Sequence, residues 1–125
     1  MDTEGLSMYD GSGLSQYNAI TSSQMVWLLH YMNKKSPYFN EFYNSLPLAG
    51  KTGTLKPLFK GSAAEGKLRA KSGTINHVKA YAGYVTSASG RDIAFSMVAN
   101  GFSGTSSQAR AKLEKLMIAL SEFDK

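Results

Sequence analysis

Apolar positions along this chain change period once, and the change divides it. Met25, Leu28, Leu29 and Met32 recur at helical spacing, which predicts an amphipathic helix with that face inward. Thr21-Ser22-Ser23-Gln24 fits a capping box, in which threonine and glutamine side chains satisfy orphan backbone N–H groups, so the helix starts at Thr21. Asn33-Lys34-Lys35-Ser36-Pro37 ends it, and a short second helix over Tyr38 to Ser45 turns Phe39 and Phe42 or Tyr43 inward. Leu46-Pro47-Leu48-Ala49-Gly50 is a turn, and Lys51 to Gly66, broken by Pro57, Gly61 and Gly66, is expected to be irregular.

From Lys67 the period becomes two. Leu68, Ala70, Ser72 and Thr74 alternate with Lys67, Arg69, Lys71 and Gly73, a strand pattern with mixed faces. Val78 to Thr86, the polar turn Ser87-Ala88-Ser89-Gly90, and Arg91 to Asn100 predict a hairpin with Ile93, Phe95 and Met97 on one face. Thr105-Ser106-Ser107-Gln108 is a second capping box, and Ala109, Leu113, Leu116, Met117 and Leu120 form the apolar stripe of a closing helix. Helices, three consecutive strands and a helix across the sheet make an α+β layer. Gly5 to Ile20, rich in Gly, Ser and Asn, reads as a loop.

Composition narrows the chemistry. At 125 residues, 42% hydrophobic and 18% charged, the chain suits one modest globular domain or a piece of a larger one. No apolar run approaches a transmembrane span, and Met1-Asp2-Thr3-Glu4-Gly5 is unlike a signal peptide. The absence of cysteine removes disulfides, thiolate nucleophiles and cysteine metal sites. Two histidines are too few for most metal sites. A formal charge of +5 suits an anionic partner, but the cations are scattered with no interleaved aromatics, which argues against nucleic acid.

Leu68-Arg69-Ala70-Lys71-Ser72-Gly73-Thr74 is the informative segment. Lys71 supplies a point charge, and Ser72 and Thr74 supply hydroxyls on the opposite face. Gly73 lets a ligand approach the backbone. At a sheet edge, free N–H and C=O groups can pair with an extended peptide. One such N–H facing a developing oxyanion is typically worth ~3–4 kcal/mol. An ordinary exposed strand accounts for the same residues. A more literal copy, Lys51-Thr52-Gly53-Thr54, lies after a turn, before Pro57, with no alternating flank; context favours Lys71.

Lys-Ser/Thr-Gly on a strand is the third signature of the penicillin-interacting serine enzymes, after Ser-x-x-Lys and Ser-x-Asn. The chain resembles the C-terminal region of the D-alanyl-D-alanine carboxypeptidase/endopeptidases of the low-molecular-mass class C penicillin-binding proteins. The blocks carrying the likeness follow one another in order. They are Asp10 to Ser15, Leu46 to Gly50 with Gly53-Thr54-Leu55, Gly66 to Thr74, Tyr81 to Val85 and Ala94 to Asn100. The resemblance puts the signature at Lys71 and implies a partial β-lactamase/transpeptidase-like fold over residues 1–125. It implies that Lys71, Ser72, Gly73 and Thr74 hold the terminal carboxylate of a peptidoglycan stem peptide or a β-lactam, with the Thr74 N–H as half of the oxyanion hole. It further implies a periplasmic or cell-envelope setting, no metal and no organic cofactor. Ser72 stands where threonine is commoner, which keeps the hydroxyl.

No Ser or Thr has a lysine three residues on, and no Ser-x-Asn occurs. Both signatures lie upstream in the family, so the chain is expected to be the substrate-gripping part of a serine hydrolase, without its nucleophile and inactive alone. Tyr31-Met32-Asn33 and Tyr38-Phe39-Asn40 match a Tyr-x-Asn variant, but their positions favour core packing. A non-catalytic peptide-binding or interaction module on the same fold is the rival reading. Ser12 is favoured as a loop residue over a nucleophile, and Asp10 as an Asx turn with Gly11. Trp27 is expected in the core, His30 partly buried or on the surface, and His77 at a strand end. Self-association through the exposed Arg91–Asn100 edge is expected.

Overall fold

The computed structural model describes residues 1–125. Helices α1 (Ser22–Lys35) and α2 (Phe39–Ser45) come first, and a single 3-10 turn occupies Gly53–Leu55. Strands β1 (Leu68–Ile75), β2 (Val78–Thr86) and β3 (Asp92–Asn100) follow, then α3 (Ser106–Ser121). The strands form one antiparallel sheet in the order β1-β2-β3, the α+β arrangement that the change of period predicts.

Both capping boxes are present. Thr21 and Thr105 accept the N–H groups of Gln24 and Gln108, whose side chains reach back to the cap N–H groups. Gln24 is buried and also donates to the carbonyls of Asp2 and Glu4, at 3.1 and 3.0 Å, tying the first residues to α1.

Each face of the sheet has its own core. On one, Leu68, Ala70, Tyr81, Val85 and Phe95 pack with Leu113 and Met117 of α3. On the other, Tyr84 packs with Leu29 and Leu46, ringed by Phe39, Phe42 and Tyr43. The irregular stretch between the turn and β1 supplies Leu55, Phe59 and Ala64 to the first core. Those burials carry no periodic signature, because a loop has none.

Some faces differ from the sequence expectation. Trp27 is 43% exposed and Leu28 42%; α1 packs chiefly on the outermost strand, β3, so only a narrow stripe around Leu29 is covered. Trp27 instead stacks on Tyr31 at 5.6 Å. Leu116 is likewise 56% exposed, while Ser121 turns inward on α3. β1 and β2 join through Asn76 and His77, both at positive φ (30° and 53°) between the paired Ile75 and Val78. Two such residues mark a tight type I′ connection, whose twist matches that of the strands. His77 packs edge-on against Phe102 at 5.9 Å, and its carbonyl accepts the Gly101 N–H at 2.9 Å.

Candidate functional site

β1 has two unlike halves. Along the first half its outer edge is covered: the Ala49 N–H donates to the Leu68 carbonyl at 2.8 Å, and the Ala70 N–H to the Pro47 carbonyl at 3.1 Å. These bonds show that even-numbered residues of β1 turn their backbone groups away from β2. By the same period the outer N–H and C=O groups of Ser72 and Thr74 face the open side. Beyond Ala70 no chain segment pairs with that edge. Lys71, Gly73 and Thr74 are exposed and Ser72 half-buried.

Side chains follow the alternation. Ser72 and Thr74 continue the α3 face of Leu68 and Ala70, while Lys71 and Gly73 continue the face of Arg69. Arg69 anchors the strand beside the site: its guanidinium donates to the Leu46 carbonyl at 2.9 Å and lies 5.1 Å from the centroid of Tyr43. Lys71 Nζ donates to the Ser72 carbonyl at 2.7 Å. A Cβ built on Gly73 meets nothing within 4 Å, so the backbone there is open to an incoming group.

Two neighbours of this edge carry no predicted contact with it in the sequence. The Ser72 hydroxyl donates to Thr54 Oγ1 at 3.3 Å, which brings the end of the rejected Lys51-Thr52-Gly53-Thr54 copy alongside the signature strand. Lys51 itself turns away to pair with Glu65 at 3.2 Å. Lys79, the β2 residue opposite Thr74, donates to Thr74 Oγ1 at 2.6 Å. A cross-strand partner is legible only once register is known, and a contact across a loop from Thr54 leaves no mark in the sequence at all.

The electrostatics are one-sided. Lys51–Glu65 is the chain's only ion pair, so no carboxylate neutralises Lys71 or Lys79. Burial, then the nearby Arg110 and Lys71, hold the Lys79 ammonium below its usual pKa. The arrangement offers an anion a point charge, two hydroxyls and outward N–H groups.

Other candidates fall outside this edge. Asp10 does more than form a turn with Gly11: it accepts from the Ser12 hydroxyl and the Asn18 amide, each at 2.6 Å, and from the Ser15 N–H at 3.3 Å. Those bonds, Ser12's first and then Asn18's, lower its pKa. Ser12 is thereby a loop brace, consistent with its favoured reading, and His30 is exposed.

Known proteins resemble the chain over most of its length. The chain is 43% identical over 109 residues to a D-alanyl-D-alanine carboxypeptidase of Actinomadura sp. strain R39, covering 83% of the chain and 20% of that protein. It is 30% identical over 116 residues to D-alanyl-D-alanine carboxypeptidase DacB of Haemophilus influenzae, covering 86% and 23%. Among solved structures, penicillin binding protein 4 of H. influenzae complexed with a novel β-lactam superposes with a TM-score of 0.78 at 27% identity, over 96% of the chain and 29% of that structure. The chain thus spans about a fifth of the length of these curated relatives. The D-Ala-D-Ala carboxypeptidase 3 (S13) family pattern runs through residues 1–122. A match over nearly the whole chain shows that the chain belongs to the D-Ala-D-Ala carboxypeptidase 3 (S13) family.

Proposed function

We propose that this chain is the carboxylate-gripping wall of a serine-type D-Ala-D-Ala carboxypeptidase or endopeptidase that acts on peptidoglycan stem peptides in the cell envelope. The observation that carries it is the bare half-edge from Lys71 to Thr74, where outward backbone groups, an unneutralised ammonium and two hydroxyls stand together. An extended peptide aligned with this edge pairs with the Ser72 and Thr74 backbone. Its terminal carboxylate meets Lys71 and the hydroxyls of Ser72 and Thr74. The Thr74 N–H faces the carbonyl oxygen that turns negative as an acyl-enzyme forms.

Acyl transfer also needs a nucleophile with a base. This chain has no serine or threonine followed three residues on by lysine, so in this reading it grips but does not cleave. That same lack favours the second reading, a peptide-binding module with no hydrolytic step.

Amide NMR of the chain tests the grip. A peptide ending in D-Ala-D-Ala with a free carboxylate is titrated against its C-terminal amide. The acid is expected to shift the Ser72 and Thr74 signals and to bind more tightly. Equal binding of acid and amide, or shifts elsewhere only, overturns the reading.

A further inference from the structure

We propose that Lys79 is a positioning residue of this site, which turns the Thr74 hydroxyl toward the ligand and adds a second positive charge behind Lys71. The inference rests on the carboxylate grip described above and extends it to a strand that lacks the signature. Lys79 faces Thr74 in register, with Nζ 2.6 Å from Oγ1. An ammonium only donates, so the threonine oxygen is the acceptor in this bond. The hydroxyl proton must then point away from Lys79, and it is free to donate to an anion at the open edge.

The ammonium is itself held. It lies 5.3 Å from the centroid of Tyr81, a ring only 2% exposed and fixed in the core. A cation so placed over an aromatic face is attracted by the ring's negative face. Yet its charged neighbours, Arg110 and Lys71, repel it, and no carboxylate pairs with it. A half-buried cation among cations costs folding free energy. Bracing β1 against β2 does not require that charge, since a neutral pair at the same register would serve. An anionic ligand at Thr74 supplies the missing opposite charge.

The experiment is the NMR titration with four variants, Lys79→Met, Lys79→Arg, Thr74→Val and the Thr74→Val/Lys79→Met double. Wild type binds the free-acid D-Ala-D-Ala peptide more tightly than its amide. Lys79→Met keeps the stem over Tyr81 and is expected to weaken binding of the acid by about three- to tenfold, the range for a partly solvated charge-assisted contact. Binding of the amide, which carries no negative charge, should weaken less. Lys79→Arg should restore the acid preference, and in a Thr74→Val background the Lys79→Met loss should shrink to less than half. Unchanged acid affinity in Lys79→Met overturns the role of Lys79 while leaving the grip intact. No acid preference in wild type overturns the grip itself. If Lys79→Met does not fold, the Lys79 side-chain signal of wild type decides: it should move as the acid saturates, and a static signal overturns the proposal.

Discussion

Gly83 sits so close to Arg69 that a Cβ built on it would stand 2.0 Å from the Arg69 carbonyl oxygen and 2.7 Å from Ala70 Cα. The missing side chain is what lets β2 lie against β1 immediately before the signature residues. Gly73, on β1 itself, has the opposite surroundings, with nothing within 4 Å. In the proposed reading the two glycines serve different ends, one packing and one access.

Their alanine variants should separate those ends. Gly83→Ala forces backbone against backbone and should cost about 3 kcal/mol, the upper part of the overpacking range. Thermal unfolding should then fall by roughly 10–15 °C for a domain of this size. Gly73→Ala should leave stability within about 0.5 kcal/mol while weakening binding of the D-Ala-D-Ala peptide. A Gly73→Ala protein that binds as wild type would remove close backbone approach from the account.

The contrast shows what the sequence could disclose. Period-two alternation from Lys67, the apolar face of Ile93, Phe95 and Met97, and both Thr-x-x-Gln caps are local signals, and each element they predict is present. Flanking pattern favours Lys71 over Lys51, and Lys51 pairs with Glu65. Contacts made across the fold were not legible. Leu55 and Phe59 enter the core from irregular backbone, Thr54 reaches Ser72 over a loop, and Lys79 meets Thr74 only through the register of a hairpin. Trp27 stays outside the core because α1 covers β3 with a narrower stripe than its apolar residues suggest.

Tyr84 joins the second core to α1, since its hydroxyl donates to the Leu29 carbonyl at 2.7 Å and it is 5% exposed. Burial pushes its pKa from 10.0 up to about 12. Below the lower value the phenol is neutral whether the chain is folded or not, and its contribution is fully present. Between the two values the unfolded chain releases a proton that the folded chain keeps, so stability falls as pH rises. Chemical denaturation across that window should show a steeper alkaline loss in wild type than in Tyr84→Phe. The variant itself should be about 1 kcal/mol less stable at neutral pH, the usual net worth of such a bond. Parallel alkaline profiles would mean that Tyr84 does not carry the dependence.

The two Lys-containing tetrapeptides give a direct comparison. Lys71 is exposed, and its one hydrogen bond is to the neighbouring Ser72 carbonyl. Lys71→Met should change stability by no more than about 0.5 kcal/mol but abolish the preference for the free-acid peptide. Lys51→Met breaks a surface pair with Glu65, worth about 0–1 kcal/mol, and should leave binding untouched. Peptide titrations of both variants settle the assignment. Loss of the acid preference in Lys51→Met instead would transfer the site to the earlier copy.

β3 raises a separate expectation, because it is the outermost strand of the sheet and no segment pairs with its far edge. The Thr86 N–H donates to the Lys67 carbonyl at 3.3 Å, so even-numbered residues of β2 turn toward β1 and odd-numbered ones toward β3. Tyr81 and Gly83 face Met97 and Phe95 in register, which leaves the backbone groups of Ser96 and Val98 on the free edge. Val98 is also 48% exposed. An unpaired edge with apolar side chains is a template for a second strand, so sedimentation should reveal association that grows with concentration. Ser96→Pro removes one outward donor without touching the β2 ladder, and should weaken that association while the fold persists. Wild type that stays monomeric at its highest soluble concentration would refute the idea. Unaltered association in Ser96→Pro would move the contact elsewhere, with the exposed Trp27 and Tyr31 stack on α1 the next surface to vary.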